Sequence, residues 1–193
     1  MNTLEAIAER RSIRKFQDRP IPNDVLRQIL HAATLAPSGK NRQPWRFHVV
    51  QGEARAEMVR VMREAIARFE ERGEGTGSAK WTVEVMAQAP VTVFVYNPFA
   101  EYKRLLQTVS DMMFNIVDVQ STGAAIQNML LAALELGLGS LWICDVFYAY
   151  DELCGWLGET HQMIAAVSLG YADESPDPRP RQPVDEVTRW VEC

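Results

Sequence analysis

Arg10-Arg11-Ser12-Ile13-Arg14-Lys15-Phe16 places three guanidiniums and a hydroxyl within five residues. Arginine meets phosphate oxygens bidentately, so this run has the make-up of a compact phosphate grip. Favourable charge at a helix C-terminus would explain Arg10 and Arg11 but not the continuation through Arg14 and Lys15. A second pair, Arg179 and Arg181, stands in a proline-rich tail. Residues 1–46 carry a local net charge of +5, whereas no Lys or Arg occurs between Leu105 and Pro178, a stretch with ten carboxylates. An acidic chain that gathers arginines near both ends either builds a local anion site or displays two solvated charge runs, and composition leaves both open. With an overall charge of -5, the chain lacks the basic surface of a general nucleic-acid binder.

The second constellation is Ala36-Pro37-Ser38-Gly39-Lys40-Asn41-Arg42-Gln43-Pro44-Trp45. A loop this rich in Ser, Gly, Asn and Gln is either a plain turn or a set of amide donors and acceptors for a planar ring that carries both. Gly39-Lys40 does not make a P-loop, because no glycine lies five residues earlier and Asn41 replaces the Ser/Thr. Leu136-Gly137-Leu138-Gly139-Ser140 follows a helical pattern and precedes a strand, the reverse of a dinucleotide fingerprint. His31, His48 and His161 are scattered without metal spacing, and no nucleophile elbow, HExxH helix or Cys-His signature occurs, so hydrolase and metalloenzyme readings have no support. Gln127-Asn128, inside an apolar run, reads as a pair of satisfied amides. Gly73-Glu74-Gly75-Thr76-Gly77-Ser78 has three glycines and no apolar anchor, which predicts a mobile loop unless something holds it. Lys80 and Trp81 follow; they either offer a cation and a ring to a substrate or sit in a plain solvent loop with Trp81 packed on its own subunit.

The elements that must position these groups follow from periodicity. Asn2 and Glu5 have capping-box spacing, which predicts a helix over about 3–10. Asn23 or Asp24 can cap a second helix, which stops near Ala36, because Pro37 disfavours helix in the residue before it. Trp45 to Val49 alternates as a strand, 54–71 is an amphipathic helix, and 91–96 is a buried β-branched strand. Residues 110–136 form a long helix with almost no polar face, which predicts a central position. Leu141–Ile143 and Ile164–Leu169 read as further strands. The pattern is an α+β fold with about four strands, in one domain over 1–172. The extension 173–193 cannot pack on itself, yet contains Val184, Val187, Trp190 and Val191; it is expected to lie on another subunit.

A chain of 193 residues with 47% hydrophobic residues buries enough surface to fold without staples. Cys144, Cys154 and Cys193 are odd in number and lack the spacing of a zinc or redox motif, so a reducing cytoplasm fits best. The apolar stretch most like a membrane span is broken by Glu135, and the N-terminus has no apolar signal core.

Four ordered pieces, RRSIRKF, APSGKNRQPWRF, GAAIQNMLLAALELGLGSLWI and PRPRQPVDEV, together resemble the flavin-dependent nitroreductase family. The resemblance implies FMN, NAD(P)H as co-substrate, and a mixed or antiparallel sheet flanked by helices. It also implies a homodimer with two interfacial sites and C-terminal segments that wrap around the partner. On that resemblance Arg10, Arg11, Ser12 and Arg14 are cofactor-binding, with Arg179 and Arg181 as the second half of the phosphate grip. Pro37, Ser38, Gly39, Asn41 and Gln43 form the loop that meets the flavin ring from the other subunit. Trp142, Ile143, Cys144 and Asp145 are the segment facing flavin N5; glycine is common in the family where Cys144 stands. Lys80 and Trp81 are candidate substrate contacts. The implied activity is reduction of a nitroaromatic, quinone or enone by ping-pong transfer through the flavin, with no protein acid or base. The alternatives are flavin fragmentation or reductive dehalogenation on the same fold, or a non-catalytic module using the N-terminal basic patch.

Overall fold

A computed structural model describes residues 2–101 and 108–191. Cys193, the last of the three cysteines, lies outside the described residues. Four strands, β1 (Arg46–Gln51), β2 (Val91–Glu101), β3 (Gly139–Ile143) and β4 (His161–Gly170), form one sheet in the order β1-β2-β4-β3. Every strand pairing is antiparallel. A parallel contact is confined to the isolated bridge between Ser12 and Ser140.

The central strands explain the two-sided core. In β2, Val91, Val93 and Val95 face one layer while Phe94 and Tyr96 face the other. The first layer contains α2 (Asn23–Thr34) and the C-terminal half of α5 (Val109–Glu135). The second contains α3 (Ala54–Glu71), α4 (Ala79–Gln88) and α6 (Tyr150–Leu157). A strand buried on both faces has no polar side, which is why 91–96 is a continuous apolar run. The strand expected over 91–96 is longer: β2 runs past Asn97-Pro98 to Glu101, with a register shift between Asn97 and Glu101 that accommodates the proline.

Helix α1 (Thr3–Glu9) has the expected capping box, with the Asn2 side chain accepting from the Glu5 N–H and the Glu5 carboxylate accepting from the Asn2 N–H. The expected cap at Asn23 or Asp24 is corrected: Asn23 is already helical behind Pro22, with no side-chain cap, and α2 ends at Thr34, two residues short of Ala36. Helix α5 is central only in its second half. Ala125, Ile126, Met129, Leu130 and Ala133 are buried, whereas Val109, Met112, Met113 and Ile116 are more than half exposed in the single chain. Asn128 donates to the Ala32 carbonyl at 3.2 Å and so ties α5 to α2. Periodicity does not mark helices α4 and α6: α4 is rich in β-branched residues and α6 contains Gly155, which weaken the signal. Among the described residues no helix is long and apolar enough to cross a membrane.

Two glycines permit the packing that brings residues 10–17 to the sheet. A Cβ at Gly139 would stand 2.8 Å from Ile13 Cγ1, and one at Gly170 would stand 2.6 Å from Pro90 Cδ and 2.8 Å from Phe16 Cδ1. Ile13 donates its N–H to the Ser140 carbonyl at 3.0 Å. Phe16 bridges Ala172, and the Gln17 N–H donates to the Tyr171 carbonyl.

Just ahead of β4, the nearly buried Glu159 carboxylate accepts from the Thr160 N–H at 2.9 Å and the His161 N–H at 3.2 Å. It also meets the His161 ring, lies 3.0 Å from His48 Nε2, and lies 3.6 Å from the Arg46 guanidinium. Glu159 thereby links β1 to β4 across the end of β2. Burial opposes ionisation, but the hydrogen bonds from the His161 backbone and ring and from Thr160 outweigh it and hold the carboxyl at about 2.

Gly139→Ala is expected to cost about 1–3 kcal/mol through overpacking against Ile13. The thermal midpoint should fall by roughly 2–4 °C per kcal/mol lost. An unchanged midpoint would mean that residues 12–13 are not held at this distance. The depressed Glu159 carboxyl contributes stability above the ordinary carboxylate range, and this is lost as the pH falls from 4.5 towards about 2. In urea unfolding, Glu159→Gln should therefore be less stable than the parent at neutral pH, and the gap should narrow in acid. A gap independent of pH counts against the carboxylate's role.

Candidate functional site

The two arginine clusters, far apart in sequence, meet in one place. Arg10, Arg11, Ser12, Arg14, Arg179 and Arg181 line a single cavity of about 310 Å³, together with Asp177 and Pro178. The backbone explains the convergence. Residues 12–13 pair with Ser140 on the free edge of β3, and residues 15–17 pair with 171–173 as the chain leaves β4. Both segments then run past the end of α1. The Arg11 guanidinium donates to the Ala8 carbonyl at 2.6 Å and to that of Arg10 at 2.9 Å. Arg14 donates to the Ser12 carbonyl at 3.0 Å and stacks over the Trp81 ring at 5.4 Å. Arg181 donates to the carbonyls of Arg179 and Pro180.

Among the described residues these five guanidiniums form no ion pair with a carboxylate. Burial, then repulsion from Arg181 and Arg11, lowers the pKa of Arg10. Like charges brought together at a half-buried cavity fit a multiply charged anion, whose arrival would relieve that repulsion. A phosphate monoester has that charge and several acceptor oxygens.

The second constellation, the 36–45 loop, lies elsewhere. Gly39–Asn41 forms one turn of 3₁₀-helix, and the loop is pinned to the middle of α5. Arg42 meets Asp118 bidentately at 3.0 and 3.1 Å, the Gly39 N–H donates to Ser121 Oγ at 3.2 Å, and Thr122 Oγ1 donates to the Pro44 carbonyl at 2.8 Å. Lys40, Asn41 and Gln43 have φ of 53°, 54° and 51°, three left-handed residues of which none is glycine. The Gln43 N–H donates to Ser38 Oγ at 3.0 Å. Asn41 and Gln43 are exposed, as is Pro37. None of these loop residues lines the arginine cavity.

Trp142, on the side of β3 that faces α5, and Cys144, just beyond the strand, are exposed, while Ile143 is buried in the layer of α3, α4 and α6. Gly123 of α5 faces the Trp142 ring, where an added Cβ would stand 3.7 Å away. Burial and then the Asp145 carboxylate push the Cys144 thiol up. Asp145 itself accepts from Ser78 Oγ at 2.8 Å and from Thr82 Oγ1, so its side chain clamps the start of α4.

The segment expected to be a mobile loop is held. Thr76 is buried, and Ser78 is tied to Asp145. Lys80, exposed at the start of α4, forms an ion pair with Glu70 at 2.6 Å. Trp81 is half exposed beneath Arg14.

Glu174, which sequence reasoning missed, accepts from the N–H groups of Arg14 and Lys15. Asp118, also missed, is a buried anchor for the loop. Nothing in the local sequence marks either carboxylate, because each acts on residues at least 76 positions away.

The sequence profile of the Nitroreductase family matches residues 7–171. A protein of Archaeoglobus fulgidus, named as an NADH dehydrogenase/NAD(P)H nitroreductase, is 34% identical over 179 residues, covering 90% of this chain and 87% of its own. An iodotyrosine deiodinase of Thermotoga neapolitana is 28% identical over 189 residues, covering 93% and 91%. A crystal structure from Desulfovibrio desulfuricans, described as a nitroreductase in complex with FMN, superposes with a TM-score of 0.75 at 26% identity over 100% of this chain and 98% of that one. On the family match over residues 7–171 and the 34% identity over 90% of its length, the chain belongs to the nitroreductase family.

Proposed function

We propose that the chain is an FMN-dependent oxidoreductase that uses NAD(P)H to reduce a small organic acceptor, and that it works as a homodimer with two interfacial sites. The observation that carries this reading is the convergence of five guanidiniums from both ends of the chain on one cavity. The family match, the NAD(P)H nitroreductase relative and the FMN-bound neighbour support it.

Arg10, Arg11, Arg179 and Arg181, with the Ser12 hydroxyl, would hold the phosphate. Arg14, stacked on Trp81 and lining the same cavity, would be a cation able to favour an anionic ring edge. Bound FMN supplies the redox chemistry, accepting two electrons from NAD(P)H and passing them to the acceptor. The chain's own work is binding and orientation. Trp142, Ile143, Cys144 and Asp145 would present their backbone to the ring, with the Asp145 side chain already committed to Ser78 and Thr82. Nitroaromatics, quinones and enones share the planar, electron-poor character that an open flavin face accepts.

The second copy is supported by the division of the site. Ser121 binds the 38–43 loop while Gly123 faces Trp142. Two residues apart on a helix is about 200° of rotation, so these two half-sites lie on opposite sides of α5. A site built from both requires another subunit. Val184, Val187, Trp190 and Val191 are 63–79% exposed in the single chain, as is Leu4 at 78%, and a partner would cover them. The net charge of -5 opposes nucleic-acid binding, and the reduced thiols of Cys144 and Cys154 suit a cytoplasmic setting.

The deiodinase relative favours one alternative acceptor chemistry, reductive dehalogenation. Iodide release from iodotyrosine by the reduced protein, with no turnover of nitroaromatics or quinones, would move the reading there. For the main reading, the purified protein should show an FMN absorbance spectrum that NAD(P)H bleaches and a nitroaromatic or quinone restores. A colourless protein that ignores added FMN overturns it. Arg11→Ala and Arg181→Ala should each weaken FMN about tenfold to a hundredfold, the size of one charge-assisted hydrogen bond. Unchanged affinity in both removes the two-part grip. Deleting residues 173–193 should give monomers or aggregates without flavin; a truncated chain that stays dimeric and yellow contradicts the tail's role.

A further inference from the structure

The tail that carries Arg179 and Arg181 reaches the cavity against charge repulsion, and its attachment is traceable. Beyond β4 the chain runs beside residues 15–17: Gln17 donates its N–H to Tyr171 and its side chain to Ala172, and the Asp173 N–H donates to the Lys15 carbonyl at 2.9 Å. The half-buried Glu174 comes next, with one carboxylate oxygen accepting from two successive amides, Arg14 N–H and Lys15 N–H. Among the described residues this is the last hydrogen bond between the tail and the body before the arginines. Residues 174–183 form neither helix nor strand. Pro176, Pro178, Pro180 and Pro183 recur along it, and each fixes φ near -65°. Pro183, with φ -56° and ψ 144°, has the polyproline conformation. Seven residues of such a chain reach about 20 Å and bend little.

We propose that Glu174 is a positioning residue for the anion grip: it fixes the point from which a proline-stiffened arm delivers Arg179 and Arg181 to Arg10 and Arg11. The inference rests on the flavin reading above. A carboxylate suits the pivot because it accepts from both amides at once and sits next to Arg14 and Lys15. A pivot that moves displaces the tip of a stiff arm by more than itself, and the repulsion felt by Arg10 supplies the force that would swing the arm away. Glu174 belongs to the arm that serves the phosphate and meets the body only through the backbone amides of Arg14 and Lys15, so its loss should weigh most on flavins that carry a phosphate.

The test compares FMN with riboflavin, which lacks the phosphate, by fluorescence titration of the full-length protein stripped of flavin. Glu174→Ala should weaken FMN about tenfold or more while changing riboflavin less than about twofold. Glu174→Gln, which keeps an oxygen able to accept from both amides, should restore FMN affinity to within about threefold of the parent. Pro176→Gly/Pro178→Gly leaves Glu174 and its hydrogen bonds in place and softens the arm; it should show the same selective loss, which keeps the idea testable if Glu174→Ala does not fold. Equal losses for both flavins, or unchanged FMN affinity in Glu174→Ala and in the proline variant, overturn the pivot. A parent protein that binds neither flavin overturns the flavin reading itself, and the two failures are therefore distinct.

Discussion

Everything near the anion cavity depends on one backbone constraint, the pairing of residues 12–17 first with Ser140 and then with 171–173. This pairing lays the first arginine run along the free edge of β3 and starts the tail alongside it. Without it the two clusters would repel and separate, because five guanidiniums face only Asp177 across the cavity. The pairing in turn requires Gly139 and Gly170, since any side chain there would push into Ile13 or Phe16. Local sequence, edge-strand geometry and electrostatics therefore meet at two small residues that carry no chemistry of their own.

The 38–43 loop depends on a different compensation. Left-handed backbone costs roughly 1–2 kcal/mol per residue for an ordinary side chain, and Lys40, Asn41 and Gln43 all adopt it. Such backbone persists only where the surroundings over-determine it. Here the bidentate Arg42–Asp118 pair, the Ser121 and Thr122 contacts and the close approach of Gly39 to Val117 do so. Strain of this kind clusters at binding sites, which accords with the place of Asn41 and Gln43 in the proposed flavin site.

The arginine clusters were legible because charge distribution survives without any knowledge of contacts, and the sheet was legible because β2 and β4 are apolar on both faces. The capping box at Asn2 and Glu5 was legible because it is a contact over three residues. What could not be read was long-range. Lys80 is consumed by Glu70, Asp145 by Ser78 and Thr82, and Arg42 by Asp118. Each pairing joins different elements, and the sequence offers no period that records it. Helix α4 failed for a local reason: Thr82, Val83 and Val85 favour a strand by type, and only burial against α3 settles the conformation.

Helix α5 shows why a helix apolar along its length need not be wholly interior. Its C-terminal half fills the layer under β2 and β4, where Ile126 and Met129 are fully buried. Its N-terminal half carries the same kind of side chain into the open, from Val109 to Ile116, beside the loop it pins. One element thus serves as the core of its own subunit and as an uncovered surface. Because the loop and Trp142 lie on opposite sides of it, α5 is also a partition between the two half-sites. In the proposed dimer the uncovered half and the partition have the same remedy. A second α5 laid against the first would bury the apolar residues and carry its own loop round to the Trp142 side. Burial of apolar surface and completion of the site would then be one event, so flavin affinity and subunit association would be linked.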